Sequence, residues 1–191
     1  MFRKLALALI LTMAGVQTAN AEIVESIGLD AKGQPCQYWW PKLPPLLGWY
    51  SDQGVNRSLG KNGVNALIPS GKTFDNADTI LYASATLRKR YAQDNPTSTT
   101  LKAFIADDKA HFLEEDHETL VVELKPLTTR DGQKLRSFAF FRSKAKNWER
   151  VSYGEEGGYY IVFVLNALSE EGYRKSQRDY EYLVGRYSEK S

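Results

Sequence analysis

Two runs decide how this chain folds: Lys134-Leu135-Arg136-Ser137-Phe138-Ala139-Phe140-Phe141-Arg142 and Tyr159-Tyr160-Ile161-Val162-Phe163-Val164-Leu165. Both are rich in aromatic and aliphatic residues that fit a pleated, half-buried surface, and a linker through Trp148 and Tyr153 with a glycine-bearing turn region separates them. They are predicted to be neighbouring central strands. The second run is apolar at every position, whereas a strand with one wet face would alternate polar and apolar residues. A layer is therefore expected on each side of the sheet.

Working outward toward the C-terminus, Asn166-Ala167-Leu168-Ser169 ends the second run, and Ser169 is placed to cap a helix running to Ser188. Glu170 and Glu171 fall in its first turn, where the helix dipole favours negative charge. Tyr173, Ser176, Gln177, Tyr180, Leu183, Val184 and Tyr187 share one stripe, and Lys175, Arg178 and Tyr182 lie on or near the wet face.

Toward the N-terminus, Thr128-Thr129-Arg130-Asp131-Gly132 is a turn that joins Lys134–Arg142 to a strand at Thr119–Lys125. In that half-buried strand Leu120, Val122 and Leu124 point one way, and Val121, Glu123 and Lys125 the other. Before it, Asn95-Pro96-Thr97 stops one element, and Ser98 or Thr99 can cap a helix reaching about Glu115. Leu101, Phe104, Ile105 and Phe112 lie on one face of that helix, with Asp108 in the middle of the same stripe. A buried carboxylate without a partner is expensive. Either Asp108 is paired, as an acid with a raised pKa in a cleft would be, or the helix bends or ends near Asp107-Asp108, which is the simpler expectation. Earlier still, Val64–Ile68 and Thr79–Leu87 read as strands joined through a turn at Pro69-Ser70-Gly71-Lys72, and Asn56–Gly63 as a polar, glycine-rich loop.

The chain begins as an exported one does. Met1-Phe2-Arg3-Lys4 is basic, Leu5–Val16 is apolar, and Ala19-Asn20-Ala21 places small residues where a signal peptidase cuts. Cleavage after Ala21 is expected, leaving a secreted or periplasmic protein without a stable membrane anchor. Of the 25 basic side chains cleavage removes two, Arg3 and Lys4, which leaves 23 against 23 acidic ones. That balance gives no electrostatic reason to expect nucleic acid as a partner. Cys36 is the sole cysteine, so no disulfide can form within one chain. The length suits one domain. The expected organisation is a signal peptide at 1–21, an extended aromatic and proline-rich lead-in at 22–42, and one α+β domain at 43–191. That domain is an antiparallel sheet of about five to seven strands covered by helices.

The lead-in and the residues after it hold Pro35, Pro41, Pro44 and Pro45, which exclude a helix interior or a central strand. Glu22–Leu29 has the scattered apolar residues of a short strand. Trp39, Trp40, Trp49 and Tyr50 are the candidate binding residues. They offer either a platform for a flat ligand or protein partner, or a set of rings that seals the edge of the core. Other chemistry is poorly supported. Gly71-Lys72-Thr73 lacks the first glycine of a phosphate loop, since position 66 is alanine. His111 and His117 are six apart and would face away from each other on a helix, so no metal is expected. No Gly-x-Ser-x-Gly signature is present.

The order of elements resembles the Mog1/PsbP/DcrB-type α/β sandwich from about Leu43 to Tyr187. The likeness rests on a Gly48-Trp49 entry, a short strand ending Leu67-Ile68-Pro69-Ser70-Gly71, the strand Ile80-Leu81-Tyr82-Ala83, a middle helix, three meandering strands and a C-terminal helix. The residues that carry it are Trp49, Pro69, Gly71 and Tyr82. It implies a fold that serves protein binding and assembly without catalysis, and no cofactor. The expected function is thus an exported, non-enzymatic protein-binding or accessory role toward another exported protein. The alternatives are a periplasmic small-ligand binder, and an immunity or inhibitor protein against a secreted toxin.

Overall fold

The computed structural model describes residues 23–29, 33–52, 63–96, 99–144 and 146–188. The expected leader at 1–21 and most of the glycine-rich stretch at 56–63 lie outside them. The fold is α+β. Strands β3 (Trp49–Ser51), β4 (Asn65–Pro69), β5 (Thr79–Leu87), β6 (Leu120–Thr128), β7 (Lys134–Arg142), β8 (Asn147–Glu156) and β9 (Tyr159–Ala167) form a seven-stranded antiparallel sheet in the order β3-β4-β5-β9-β8-β7-β6. A separate two-stranded ribbon pairs β1 (Ile23–Leu29) with β2 (Pro35–Pro41). The prolines at both ends of β2 suit such a ribbon better than a central strand.

Helices cover both faces, as the uniformly apolar β9 demands. Helix α3 (Glu170–Arg186), capped by Ser169 Oγ accepting from the Gly172 N–H, lies on one face. There Tyr180, Leu183, Val184 and Tyr187 pack with Leu81, Leu135, Ile161, Phe163 and Leu165. Helix α2 (Leu101–Glu115) lies on the other, with Phe104 and Ile105 against Phe138, Phe140, Val151, Tyr160 and Val162. Phe104 stacks on Tyr160 at 4.6 Å between ring centroids, and Phe112 on Phe140 at 4.2 Å. The short helix α1 (Arg88–Asp94), which the sequence pattern did not suggest, continues β5 and sets Tyr91 edge-on to both Phe104 and Tyr160.

Three expectations need correction. The runs Lys134–Arg142 and Tyr159–Leu165 are not neighbours, because the linker between them is itself strand β8, paired with β7 on one side and β9 on the other. Helix α2 neither bends nor ends at Asp107-Asp108 but continues to Glu115, and its cap is Thr100, whose hydroxyl accepts from the Ala103 N–H. Asp108 is tolerated inside the stripe because it is paired. The alternation expected of β6 is present: Val121 packs on the α2 side, while Leu120 and Val122, on the opposite face, are exposed. The strand is the last in the sheet, and α3 does not reach over its first half to cover those two side chains.

Candidate functional site

The four aromatic residues singled out in the sequence occupy different environments. Trp39 and Trp40 are each 5% exposed. The Trp39 ring enters the core beneath α3, lies 6.3 Å from the Tyr159 ring, and donates its indole N–H to the Ala85 carbonyl at 2.8 Å. That hydrogen bond fastens the β1–β2 ribbon to β5. Trp49 is half-buried against the same core, and its indole donates to Asp179 Oδ2 on α3 at 3.0 Å. Tyr50 is exposed and donates to the Lys72 carbonyl at 2.8 Å. Between these anchors the chain makes an elbow, 42–48. Leu43 and Leu46 are buried in it, Leu47 is 98% exposed, and Gly48 adopts a φ of 83°, a conformation open to glycine at little steric cost. The rings therefore fix the segment, and the elbow offers Leu47 to solvent.

A second constellation lies between the sheet and α2. Alternation along β8 sends Asn147, Glu149, Val151 and Tyr153 to the α2 face and Arg150 and Ser152 to the α3 face. Tyr153 donates its hydroxyl hydrogen to Asp108 Oδ2 at 2.6 Å. Burial pushes the Asp108 carboxyl above its usual range, while the Tyr153 hydrogen bond and the nearby His111 pull it back. Farther along the strand Glu149 Oε1 accepts from Arg142 Nη2 at 2.6 Å, Asn147 Nδ2 at 2.8 Å and Asn166 Nδ2 at 3.0 Å. Burial raises Glu149 as well, opposed first by the Arg142 guanidinium. Tyr82 and Tyr153 phenols are held up chiefly by burial, with the negative charge of Asp108 and Glu149 adding to it.

Sequence reasoning missed Glu149, Arg142, Asn147 and Asn166 because β8 was read as a linker. The alternation Asn147, Glu149, Val151, Tyr153 was the available signal, and its polar members disguised it. Chemically, burial lets the Asp108 carboxyl beside Tyr153 keep its proton above the usual carboxylate range. Glu149 is instead held as the acceptor of three donors.

On the α3 face Arg150 is buried and reaches Gln177 and Glu181 of the helix. The Ser137 and Ser152 hydroxyls lie 2.7 Å apart, and Tyr180 Oη lies 2.8 Å from Ser152 Oγ and 3.0 Å from the Phe163 carbonyl. A phenol has one hydrogen, so when Tyr180 donates to the carbonyl, Ser152 turns its own toward Tyr180. These contacts register α3 on the sheet. Among the described residues no group of three or more His, Cys, Asp or Glu side chains is placed to hold a metal ion. His111 instead faces Glu115, one turn along α2, at 3.2 Å. Among the described residues no helix is long and apolar enough to cross a membrane.

No protein-family model matches the chain, and comparison with curated proteins finds no match.

Proposed function

We propose that the protein is exported and acts by binding another exported protein without catalysis, presenting the elbow at 42–48 and the neighbouring Tyr50 as part of its contact surface. The observation that carries this reading is the position of Leu47, fully exposed on a short segment whose flanks are fixed by Leu46 in the core and by Trp49 on α3. Pro44 and Pro45 stiffen it further. A segment already held in shape loses little conformational freedom on docking, so more of its contact energy appears as affinity. Tyr50 adds an exposed aromatic ring next to the elbow, and tyrosine is enriched among residues that dominate binding. In this reading Trp39, Trp40 and Trp49 set the position of the surface, and Leu47 and Tyr50 make the contact. The balanced charge of the chain after cleavage at Ala21 favours a protein partner over nucleic acid.

The test has two parts. N-terminal sequencing of the protein from an exported fraction should begin at Glu22. Purified protein used as bait in a periplasmic extract should retain a partner that, once purified, binds saturably, and Leu47→Asp should weaken that binding about tenfold or more, the scale of a 1.4 kcal/mol contact. Equal affinity of Leu47→Asp and wild type would remove the elbow from the contact surface.

A further inference from the structure

The two edges of the seven-stranded sheet are treated differently. At one end β3 is three residues long, too short to template another strand. At the other end β6 is nine residues long, and its outer side has no strand beside it among the described residues. Its second half is blunted. The pairing with β7 shifts register between Leu124 and Leu127, and within that shift lie Lys125 and Pro126, a charged residue and one without a backbone N–H. Its first half, Leu120-Val121-Val122-Glu123-Leu124, keeps regular pairing with Phe141 through Ser137, holds no proline, and has one charge, Glu123, that is already paired with Arg136.

That first half also exposes apolar side chains. Leu120 is 59% and Val122 37% exposed, and both share a face with Leu124, the face on which α3 packs. The row continues inward through Phe141, opposite Leu120, whose ring meets Tyr173 of α3 edge-on at 5.7 Å. On the reverse face the strand presents Val121, which packs inward, and Glu123, whose carboxylate is held by Arg136 at 2.8 Å.

The order of side chains selects the occupant. A two-fold interface is isologous: if residue i meets residue j, then j meets i. Antiparallel pairing of this segment with a copy of itself about Val122 sets Val122 against Val122 and Leu120 against Leu124, so Leu-x-Val-x-Leu reads the same in both directions. Val121 then faces a Glu123 whose charge is already paired with Arg136, and no like charges oppose each other. The proline and the register shift fall outside the paired five residues and bound the register. We propose that Leu120–Leu124 of β6 pairs with the same segment of a second copy of this chain, antiparallel about Val122, joining two seven-stranded sheets into one. The contact is distinct from the elbow at Leu47, so a dimer made this way presents two elbows to partners.

Sedimentation equilibrium of the purified protein tests the pairing, together with disulfide trapping in a Cys36→Ser background. The wild type should show a reversible monomer–dimer equilibrium. Val122→Lys, which places two ammonium groups face to face at the dyad, should remain a single chain at every concentration at which the wild type is a dimer, with an unchanged circular dichroism spectrum. Val122→Cys should form a covalent dimer under mild oxidation, because the two positions oppose each other, whereas Leu120→Cys, facing Leu124, should not. A wild type that is monomeric throughout would overturn the proposal. So would a dimer that survives Val122→Lys, which would place the interface elsewhere. A ladder of higher species would overturn it too, since pairing β6 of one copy with β1 of the next generates open-ended chains.

Discussion

Tyr153 of β8 donates its hydroxyl hydrogen to Asp108 of α2 at 2.6 Å, and this contact is what allows a carboxylate to sit in the apolar stripe of a helix that packs on the sheet. Burial raises the Asp108 pKa above its value in an unfolded chain. The native state therefore binds the proton more tightly. The stability this supplies is fully present below the unfolded carboxyl pKa, about 4, and is lost as pH rises through the folded value. Asp108→Asn keeps an oxygen for Tyr153 and carries no charge at any pH. It should be more stable than wild type at neutral pH, with the difference shrinking as pH falls toward 4. Urea denaturation across that range measures both curves, and parallel curves would show that Asp108 does not titrate with folding.

Trp39 supports the ribbon through both area and its N–H. Trp39→Ala should cost about 3–5 kcal/mol, the range for emptying a large core position. Trp39→Phe keeps much of the area but leaves the Ala85 carbonyl without the indole donor, for about 1–3 kcal/mol. Denaturation midpoints with an unchanged m-value report both. Losses close to zero would mean that the ring contributes a surface and not a core contact.

The half-buried Arg142 guanidinium and the buried Glu149 carboxylate form a charge pair that two amide groups complete. Removing one partner leaves the other charge uncompensated, so Arg142→Met should cost about 3–5 kcal/mol. Adding Glu149→Gln to Arg142→Met should recover a large part of that loss, because no lone charge then remains. A double variant no more stable than the single one would show that Arg142 acts through its contact with the Phe112 ring or with Glu115.

Gly154 sits in β8 where a methyl group would lie 2.4 Å from Leu135 Cδ2 and 3.3 Å from Ile161 Cγ1. Both neighbours are fully buried. Gly154→Ala should destabilise by about 1–3 kcal/mol, as overpacking of a filled core does, despite the better strand propensity of alanine. Pairing it with Leu135→Ala tests the cause. If steric crowding is responsible, the two costs will fall short of adding.

Elements whose burial depends on apolar residues could be read from the sequence, and those whose burial depends on polar partners could not. Tyr159–Leu165 declared a strand covered on both faces because nothing in it prefers water, and the α3 stripe from Tyr173 to Tyr187 could be read by its spacing alone. Strand β8 is just as buried, yet Asn147, Glu149, Arg150 and Ser152 make it look like surface. The groups that make this burial tolerable, Arg142, Asn166, Gln177, Tyr180 and Glu181, lie on other elements, and no local window contains them. Trp39 and Trp40 show a different limit. Composition marked them as important, but whether a ring faces core or solvent depends on which strand β2 joins. The exposure of Leu120 and Val122 could not be read from β6 itself, because alternation gives two faces without saying which one a distant helix covers.

The sheet is built outward from the last of its strands to be synthesised. β9 separates β5 from β8, so β3-β4-β5 on one side and β6-β7-β8 on the other have no common hydrogen bonds until Tyr159–Ala167 enters between them. Joining them requires Thr79 to meet Ala167, a long loop whose closure entropy is spent before the contact returns anything. A growing chain therefore has no complete sheet until β9 has been made, and α3 follows to cover it. The order of synthesis thus leaves β3-β4-β5 without its central neighbour until every other strand of the sheet has been made.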